Sequence, residues 1–348
     1  MSDQSALRPE ELVSARLRAL YQAWGYASYK VNRFEEYDLY MRNKSFLTDD
    51  HILTFTDTDG KLMALKPDIT LSVVKNAREE EMPLKICYAE SVYRVPHGAF
   101  GFREIMQTGV ESIGELDLWD SCEVILLACK SLEIIRPDRW QLDISDIGII
   151  ASLLAGEVLT GEERSDLLNT ISGKNVHGLK ELCVKYGVSR ETCAMLETLV
   201  RCSGPLLEAL EEVKELRLPA ACEESLRALE EIGQAAEALG LDHLSLDFSV
   251  INDMSYYNGL IFQGFVDGVP ASVLSGGRYD PLMARMGKRG SAIGFAVYLD
   301  QMTRLFPTNQ PVFNSFPPVR REGKSLREIA LEMSEKVDRL AKAKEADR

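Results

Sequence analysis

Three stretches of the chain carry residue types suited to holding a polar ligand. The first reads as a strand from Arg103 to Ile113. Its alternation puts Met106, Thr108 and Val110 on one face and Ile105, Gln107, Gly109, Glu111 and Ile113 on the other. An amide and a carboxylate, each two positions from a glycine, are costly to bury on a central strand without partners. They mark either a sheet face open to water or the floor of a pocket. The second stretch runs from Phe248 to Asp280, where Tyr256 to Val266 is aromatic and branched as a strand should be. There Tyr257, Gly259, Ile261 and Gln263 share a face. A tyrosine beside a glycine suggests a backbone that something approaches closely, although an ordinary buried hairpin with core tyrosines has the same pattern. The third is Leu65-Lys66-Pro67-Asp68-Ile69-Thr70, which leads into a helix from about Leu71 to Ala77. Asp68 and Thr70 stand at its entrance, where capping alone accounts for both residue types.

The elements that must position these residues alternate in kind. Pro9 to Trp24 is an amphipathic helix with Val13, Leu17, Leu20, Tyr21 and Trp24 on one stripe and Gly25 as its stop. Tyr26 to Arg33 reads as a strand. Thr54 to Ala64 reads as a hairpin turning at Asp59-Gly60. Lys85 to Arg94 is a strand, Leu118 to Ile135 a helix and Trp140 to Ser145 a strand. From Ile149 to Leu239 the pattern is almost wholly helical, with breaks near Gly173, Gly187 and Gly204-Pro205, so this block reads as a helical insertion in a mixed sheet protein. Strands resume at Leu244. Asp267-Gly268 turns the second stretch back into a strand over Ala271 to Leu274, which Ser275-Gly276-Gly277 ends. Ser291 to Phe306 passes from strand to helix through Gly294. A Pro-rich, then charged tail follows, with a peripheral helix expected over Lys324 to Lys344.

With 348 residues, 45% of them hydrophobic, the chain is long enough for a substantial core. No apolar run is long enough to span a bilayer, and Met1 to Glu10 has no signal-peptide core. Seven cysteines without a Cys-x-x-Cys pair, and four scattered histidines, point to reduced core thiols in a cytoplasmic protein and away from a disulfide framework or a metal centre. No cofactor is expected. A formal net charge of −14 disfavours a nucleic-acid binder, which usually carries a basic face.

Taken together and in order, these stretches resemble the catalytic core of class II aminoacyl-tRNA synthetases, specifically the histidyl-tRNA synthetases. Residues 65–70 resemble that family's Leu-Arg-Pro-Glu-x-Thr. Tyr93-Arg94, the following loop and residues 103–111 resemble motif 2. Residues 253–258 and 275–280 resemble the two histidine-specific motifs, and 293–302 resemble motif 3. The resemblance spans roughly residues 9–306 and implies an α+β fold: a class II synthetase-like core with a mixed, mainly antiparallel sheet flanked by helices, plus a helical insertion. The implied division is 1–148 and 241–306 for the core, 149–240 for the insertion and 307–348 for the tail, with no anticodon-binding domain.

By the same resemblance, Asn252 stands where the synthetases carry a catalytic arginine, Gln301 where motif 3 has its arginine, and Tyr298 where a small residue lies beneath adenosine. Arg94-Val95-Pro96 replaces an Arg-x-Glu that reads adenine. Adenylation needs cations where phosphate charge develops, and losing one such contact costs about 2.7–4 kcal/mol. The amino-acid side is different. Asp68, Thr70 and Gln107 match ammonium-binding positions, Glu111 and Tyr257 imidazole-binding positions and Arg94 a carboxylate contact, while Tyr279 lines the same cavity. These types suit histidine, with acceptors for its donors and one cation for its carboxylate. Asp68 is shorter than the family's glutamate.

Nucleotide residues lost and amino-acid residues kept is the pattern of the ATP phosphoribosyltransferase regulatory subunits. That resemblance implies a non-catalytic subunit with no catalytic residues of its own. It would form a synthetase-like dimer with itself and join the short-form ATP phosphoribosyltransferase catalytic subunit in the first step of histidine biosynthesis, with histidine as effector. No membrane and no nucleic-acid partner are expected, from the lack of a spanning apolar run and from the net charge. Two alternatives stand beside the regulatory reading: a divergent synthetase-like ligase activating an amino acid for another acceptor, and an RNA-binding accessory protein.

Overall fold

The computed structural model describes residues 8–47, 51–78, 82–95, 101–137, 139–251 and 257–304. The strands, in chain order, are β1 (Ala27–Ser28), β2 (Phe34–Glu36), β3 (Thr54–Thr56), β4 (Leu62–Leu65), β5 (Leu84–Arg94), β6 (Arg103–Gly114), β7 (Trp140–Asp146), β8 (Ser203–Pro205), β9 (Leu244–Asp247), β10 (Leu260–Val266), β11 (Leu274–Arg278) and β12 (Ser291–Tyr298). Nine of them form one sheet in the order β1-β5-β6-β12-β11-β10-β7-β9-β8, and β2-β4-β3 form a small second sheet. In the large sheet β1–β5 and β7–β9 pair in parallel and the other six neighbours are antiparallel. This is the mixed, mainly antiparallel sheet expected from the sequence.

One face of the large sheet is covered by helices α1 (Pro9–Ala23) and α4 (Leu118–Ile135). Val13, Leu17 and Tyr21 of α1 are buried, and the chain leaves the helix through Gly25 at φ +89°, a conformation that favours glycine. Ser14 Oγ lies 2.9 Å from Thr108 Oγ1 on β6, and Tyr21 Oη lies 3.0 Å from Ser131 Oγ on α4. Asp117 caps α4 by accepting from the Asp120 N–H at 3.1 Å. Helix α4 lies close to the sheet because Gly264 has no side chain: a Cβ there would stand 2.8 Å from Leu132.

The other face holds a separate apolar cluster. Ile86, Tyr88 and Ile113 of the sheet pack with Leu71 and Val74 of α3 (Thr70–Asn76), and with Leu282 and Met283 of α11 (Asp280–Arg285). The short α2 (Tyr37–Arg42) contributes Tyr40 to this cluster. The block after β7 is helical as expected: α5 (Ile147–Ala155), α6 (Gly161–Ser172), α7 (Val176–Lys185), α8 (Arg190–Arg201), α9 (Leu206–Lys214) and α10 (Glu223–Ala238). All seven cysteines are free thiols, and Cys193 is the one that is not fully buried. Among the described residues, no helix is long and apolar enough to cross a membrane.

Several sequence expectations need correction. The strand expected over Tyr26 to Arg33 is only Ala27–Ser28. Beyond it the Val31 N–H turns to the Glu90 carboxylate at 3.4 Å, and Arg33 hands the chain to the small sheet by accepting from the Lys66 N–H at 3.0 Å. The strand expected at Tyr256 begins at Leu260, so Tyr257 precedes it, and Tyr256 lies outside the described residues. The returning strand is Leu274–Arg278 rather than Ala271 to Leu274, and both glycines read as its end are inside it. They fit there because side chains would collide on both faces, with Phe295 at Gly276 and with Tyr257 at Gly277. The break at Gly204-Pro205 is the edge strand β8, paired with β9. After β12 the described chain continues as a 3₁₀ helix, Leu299–Arg304. The tail, with the helix expected over Lys324 to Lys344, lies outside the described residues.

Candidate functional site

The site grows from the pairing of β6 with β12. Glu111 sits opposite Gly294 in this ladder, and Gln107 opposite Tyr298. Glu111 is 2% exposed and Gln107 5%. Of the two readings of this strand face, water or pocket floor, the structure therefore has the second. A Cβ at Gly294 would fall onto Glu111 Oε2, so the carboxylate folds down over bare backbone. Tyr279, between β11 and α11, donates its hydroxyl to Glu111 Oε2 at 2.6 Å, and Thr70, first residue of α3, donates to Oε1 at 2.8 Å. Burial pushes the Glu111 carboxyl up to about 8, and the nearby Asp68 charge adds to the rise; the two hydroxyls pull the other way.

Asp68 does two jobs. Its Oδ1 accepts from the Leu71 N–H at 2.9 Å, which is the capping role expected of it, and the same carboxylate lines the cavity. Burial raises its pKa, opposed by the Leu71 N–H, by Arg94 and by the Thr70 N–H. Arg94 ends β5, with its guanidinium 5.9 Å from the centroid of the Tyr298 ring. Tyr298 Oη lies 2.6 Å from Ser275 Oγ.

Asp68, Thr70, Arg94, Gln107, Glu111, Tyr257 and Tyr279 all line one cavity of about 320 Å³. Four chain segments bring them together: the turn into α3, the β5–β6 pair, the approach to β10, and the β11–α11 corner. The close approach expected at Gly259 occurs instead at Gly277, where a Cβ would stand 2.6 Å from the Tyr257 ring; at Gly259 the nearest atom, Arg278 Cδ, is at an ordinary 3.4 Å.

Phe46, Gln263, Ser275 and Tyr298 also line the cavity. Of these, Gln263 was legible on the face shared with Tyr257, Tyr298 at the adenosine position and Ser275 at the head of a histidine-specific motif, while Phe46 carried no signal. Sequence reasoning also passed over Lys66, which is fully buried. Its Nζ reaches Glu90 Oε2 at 2.9 Å and the Val31 carbonyl at 3.3 Å, and its carbonyl accepts from the Tyr93 N–H at 2.9 Å. It ties the small sheet to β5 one residue before Pro67-Asp68. The signal was a lysine inside an otherwise buried run, where a charge needs a partner. Asn252 and Pro96 lie outside the described residues. Gln301 Nε2 donates to Asp300 Oδ2 at 3.0 Å.

This geometry offers acceptors, hydroxyls and a guanidinium to a small polar molecule. Among known proteins, the family described as histidyl-tRNA synthetase matches residues 3–302. An ATP phosphoribosyltransferase regulatory subunit of Clostridium kluyveri is 30% identical over 301 residues, covering 84% of this chain and 77% of that one. The chain belongs to the family of ATP phosphoribosyltransferase regulatory subunits. A family member from Bacillus anthracis is 28% identical, covering 86% of this chain and 73% of its own. The crystal structure of an ATP phosphoribosyltransferase regulatory subunit/histidyl-tRNA synthetase from Bacillus halodurans matches with a TM-score of 0.75 at 25% identity, covering 84% of this chain and 77% of that chain. A chain of an ATP phosphoribosyltransferase complex from Thermotoga maritima shares the fold, with a TM-score of 0.64 at 20% identity over 84% of this chain and 97% of that one. Regulatory subunits of this family thus share the histidyl-tRNA synthetase fold, and the cavity described above lies on the large sheet of that fold.

Proposed function

We propose that this chain is a non-catalytic regulatory subunit that binds histidine in the β6–β12 cavity and conveys its presence to a short-form ATP phosphoribosyltransferase. The observation that carries this reading is Glu111, buried and held by two hydroxyls, in one cavity with Asp68 and Arg94. The histidine ammonium would meet Asp68, Thr70 and Gln107, its carboxylate Arg94, and its imidazole Glu111 and Tyr257. The family name of the relatives and the phosphoribosyltransferase complex that shares the fold support the partner. The loss of adenylation is supported by Tyr298, whose ring and hydroxyl are engaged by Arg94 and Ser275 where the synthetases leave room for adenosine, and by Gln301 in place of an arginine. We also propose a synthetase-like homodimer, a cytoplasmic location and no nucleic-acid partner, the last in keeping with the net charge of −14.

The test combines two assays. Pyrophosphate exchange with ATP and histidine should show no activity, and light scattering should show one larger complex when the chain is mixed with a short-form catalytic subunit. Exchange at ordinary synthetase rates, or two non-interacting species at micromolar concentration, would sink the proposal.

A pH dependence follows from Glu111 and its neighbours. The native carboxyl holds its proton to about 8, against an ordinary value of 4.5, so folding takes up a proton between those values. Asp68, raised in the same direction, acts with it. The stability of the free protein should be greatest at the acid end of this window and fall as pH rises through it. For histidine, one proton shared between imidazole and Glu111 suffices in the complex. Binding should therefore be tightest between about pH 6.5, where free imidazole titrates, and about 8, where Glu111 does. Above that window binding must take up a proton, and below it one is released. Calorimetry in buffers of different ionisation enthalpy measures both limbs, and Glu111→Gln should abolish the alkaline one. An affinity that stays level through the alkaline limit in the parent would remove the imidazole from Glu111.

A further inference from the structure

Asp280 gathers three separate parts of the chain around one carboxylate. Its Oδ2 accepts from Asn258 Nδ2 at 3.1 Å and from Arg278 Nε at 2.8 Å, and its Oδ1 accepts from the Ala292 N–H at 3.0 Å. Its own N–H donates to Asn258 Oδ1 at 3.1 Å. Arg278 extends the cluster by donating from Nη2 to Ser291 Oγ at 2.7 Å. The approach to β10, the end of β11 and the start of β12 are thereby joined. A carboxylate suits this place because it accepts several donors at once, which an amide oxygen does less fully and a methyl group not at all.

None of Asp280, Asn258 or Arg278 lines the cavity, but two of the tyrosines that do, Tyr257 and Tyr279, are chain neighbours of clasp residues. Tyr257 precedes Asn258, whose N–H donates to the Arg278 carbonyl at 3.1 Å. Tyr279 precedes Asp280, and its N–H donates to the Ala292 carbonyl at 2.8 Å. The Tyr279 hydroxyl then meets Glu111 at 2.6 Å, a distance that tolerates little movement of its backbone.

We propose that Asp280 is a positioning residue for the cavity, holding Tyr257 and Tyr279 in place through Asn258, Arg278 and the β12 backbone. Its effect on ligand binding rests on the histidine reading above; its effect on the two tyrosines does not. The experiment uses the full-length chain in complex with its catalytic partner. Asp280→Ala should weaken histidine binding about ten-fold, the scale of lost charged hydrogen bonds, and Asp280→Asn should fall between it and the parent. In a Tyr279→Phe background the same alanine change should cost much less, because both act on one hydroxyl. Hydrogen exchange should quicken at Asn258, Tyr279 and Ala292 in Asp280→Ala while β5 and β6 keep their protection. Should Asp280→Ala not fold, Asn258→Ala, at an exposed side chain, carries the same measurements.

Histidine affinity within about two-fold of the parent, or effects of Asp280→Ala and Tyr279→Phe that simply add, would overturn the proposal. If the parent complex binds no histidine, the histidine reading fails. The exchange pattern then decides the clasp alone: local loosening supports it, and unchanged protection overturns it.

Discussion

Glu111→Ala should weaken histidine inhibition of the complex by roughly ten- to a hundred-fold and leave assembly intact. The magnitude is that of removing one partner from a buried, charge-assisted hydrogen bond, about 1.5–3 kcal/mol. The change also leaves the Thr70 and Tyr279 hydroxyls without their acceptor in a site where Tyr279 is 2% exposed. Assembly is spared because the side chain lies in the cavity floor rather than on the surface. Inhibition curves and light scattering on one preparation measure both halves of this expectation. Tyr257→Phe should act in the same direction. If both variants assemble and are inhibited like the parent, histidine is sensed elsewhere.

Gly294→Ala should lower the stability of the chain by about 1–3 kcal/mol, the usual cost of overpacking, and weaken histidine binding with it. The added carbon would meet both Glu111 Oε2 and the Val110 carbonyl. The carbonyl belongs to the neighbouring strand and cannot swing away, so the strands must separate or the carboxylate must leave its rotamer. A control lies at Gly156, which ends α5 at φ −78° with nothing within 4 Å of an added Cβ. Alanine there should be neutral or stabilise by about 0.4–1 kcal/mol. Urea unfolding of the three proteins measures the contrast. Equal midpoints for Gly294→Ala and the parent would show that the β6–β12 ladder yields freely.

The long regular elements were legible because local chemistry decides them. Leu118–Ile135 was read to its ends from its apolar repeat, and the Thr54–Thr56 hairpin from Asp59-Gly60, where Gly60 has φ +86°. The seven candidate residues share one cavity, and they were found through types and order rather than any local pattern. What escaped depends on contacts distant in the chain. Gly276 and Gly277 weaken a strand by propensity, yet they are inside β11 because Phe295 and Tyr257 press on its two faces. α2 and α11 have six residues each, too few for a helical repeat to show. Two of the three partners of the Asp280 carboxylate lie 22 residues before it and 12 after it, a separation no local pattern spans.

On the pocket face of the sheet, Gly109, Gly277 and Gly294 leave bare backbone against which Tyr88, Tyr257 and Glu111 rest, and an added carbon at each would strike them. Tyr88, Tyr257 and Glu111, which line the chamber, thus lie directly on main chain. Any glycine codon becomes an alanine codon through one base substitution. A single nucleotide change at any of these three codons would therefore press on one of the side chains that wall the chamber.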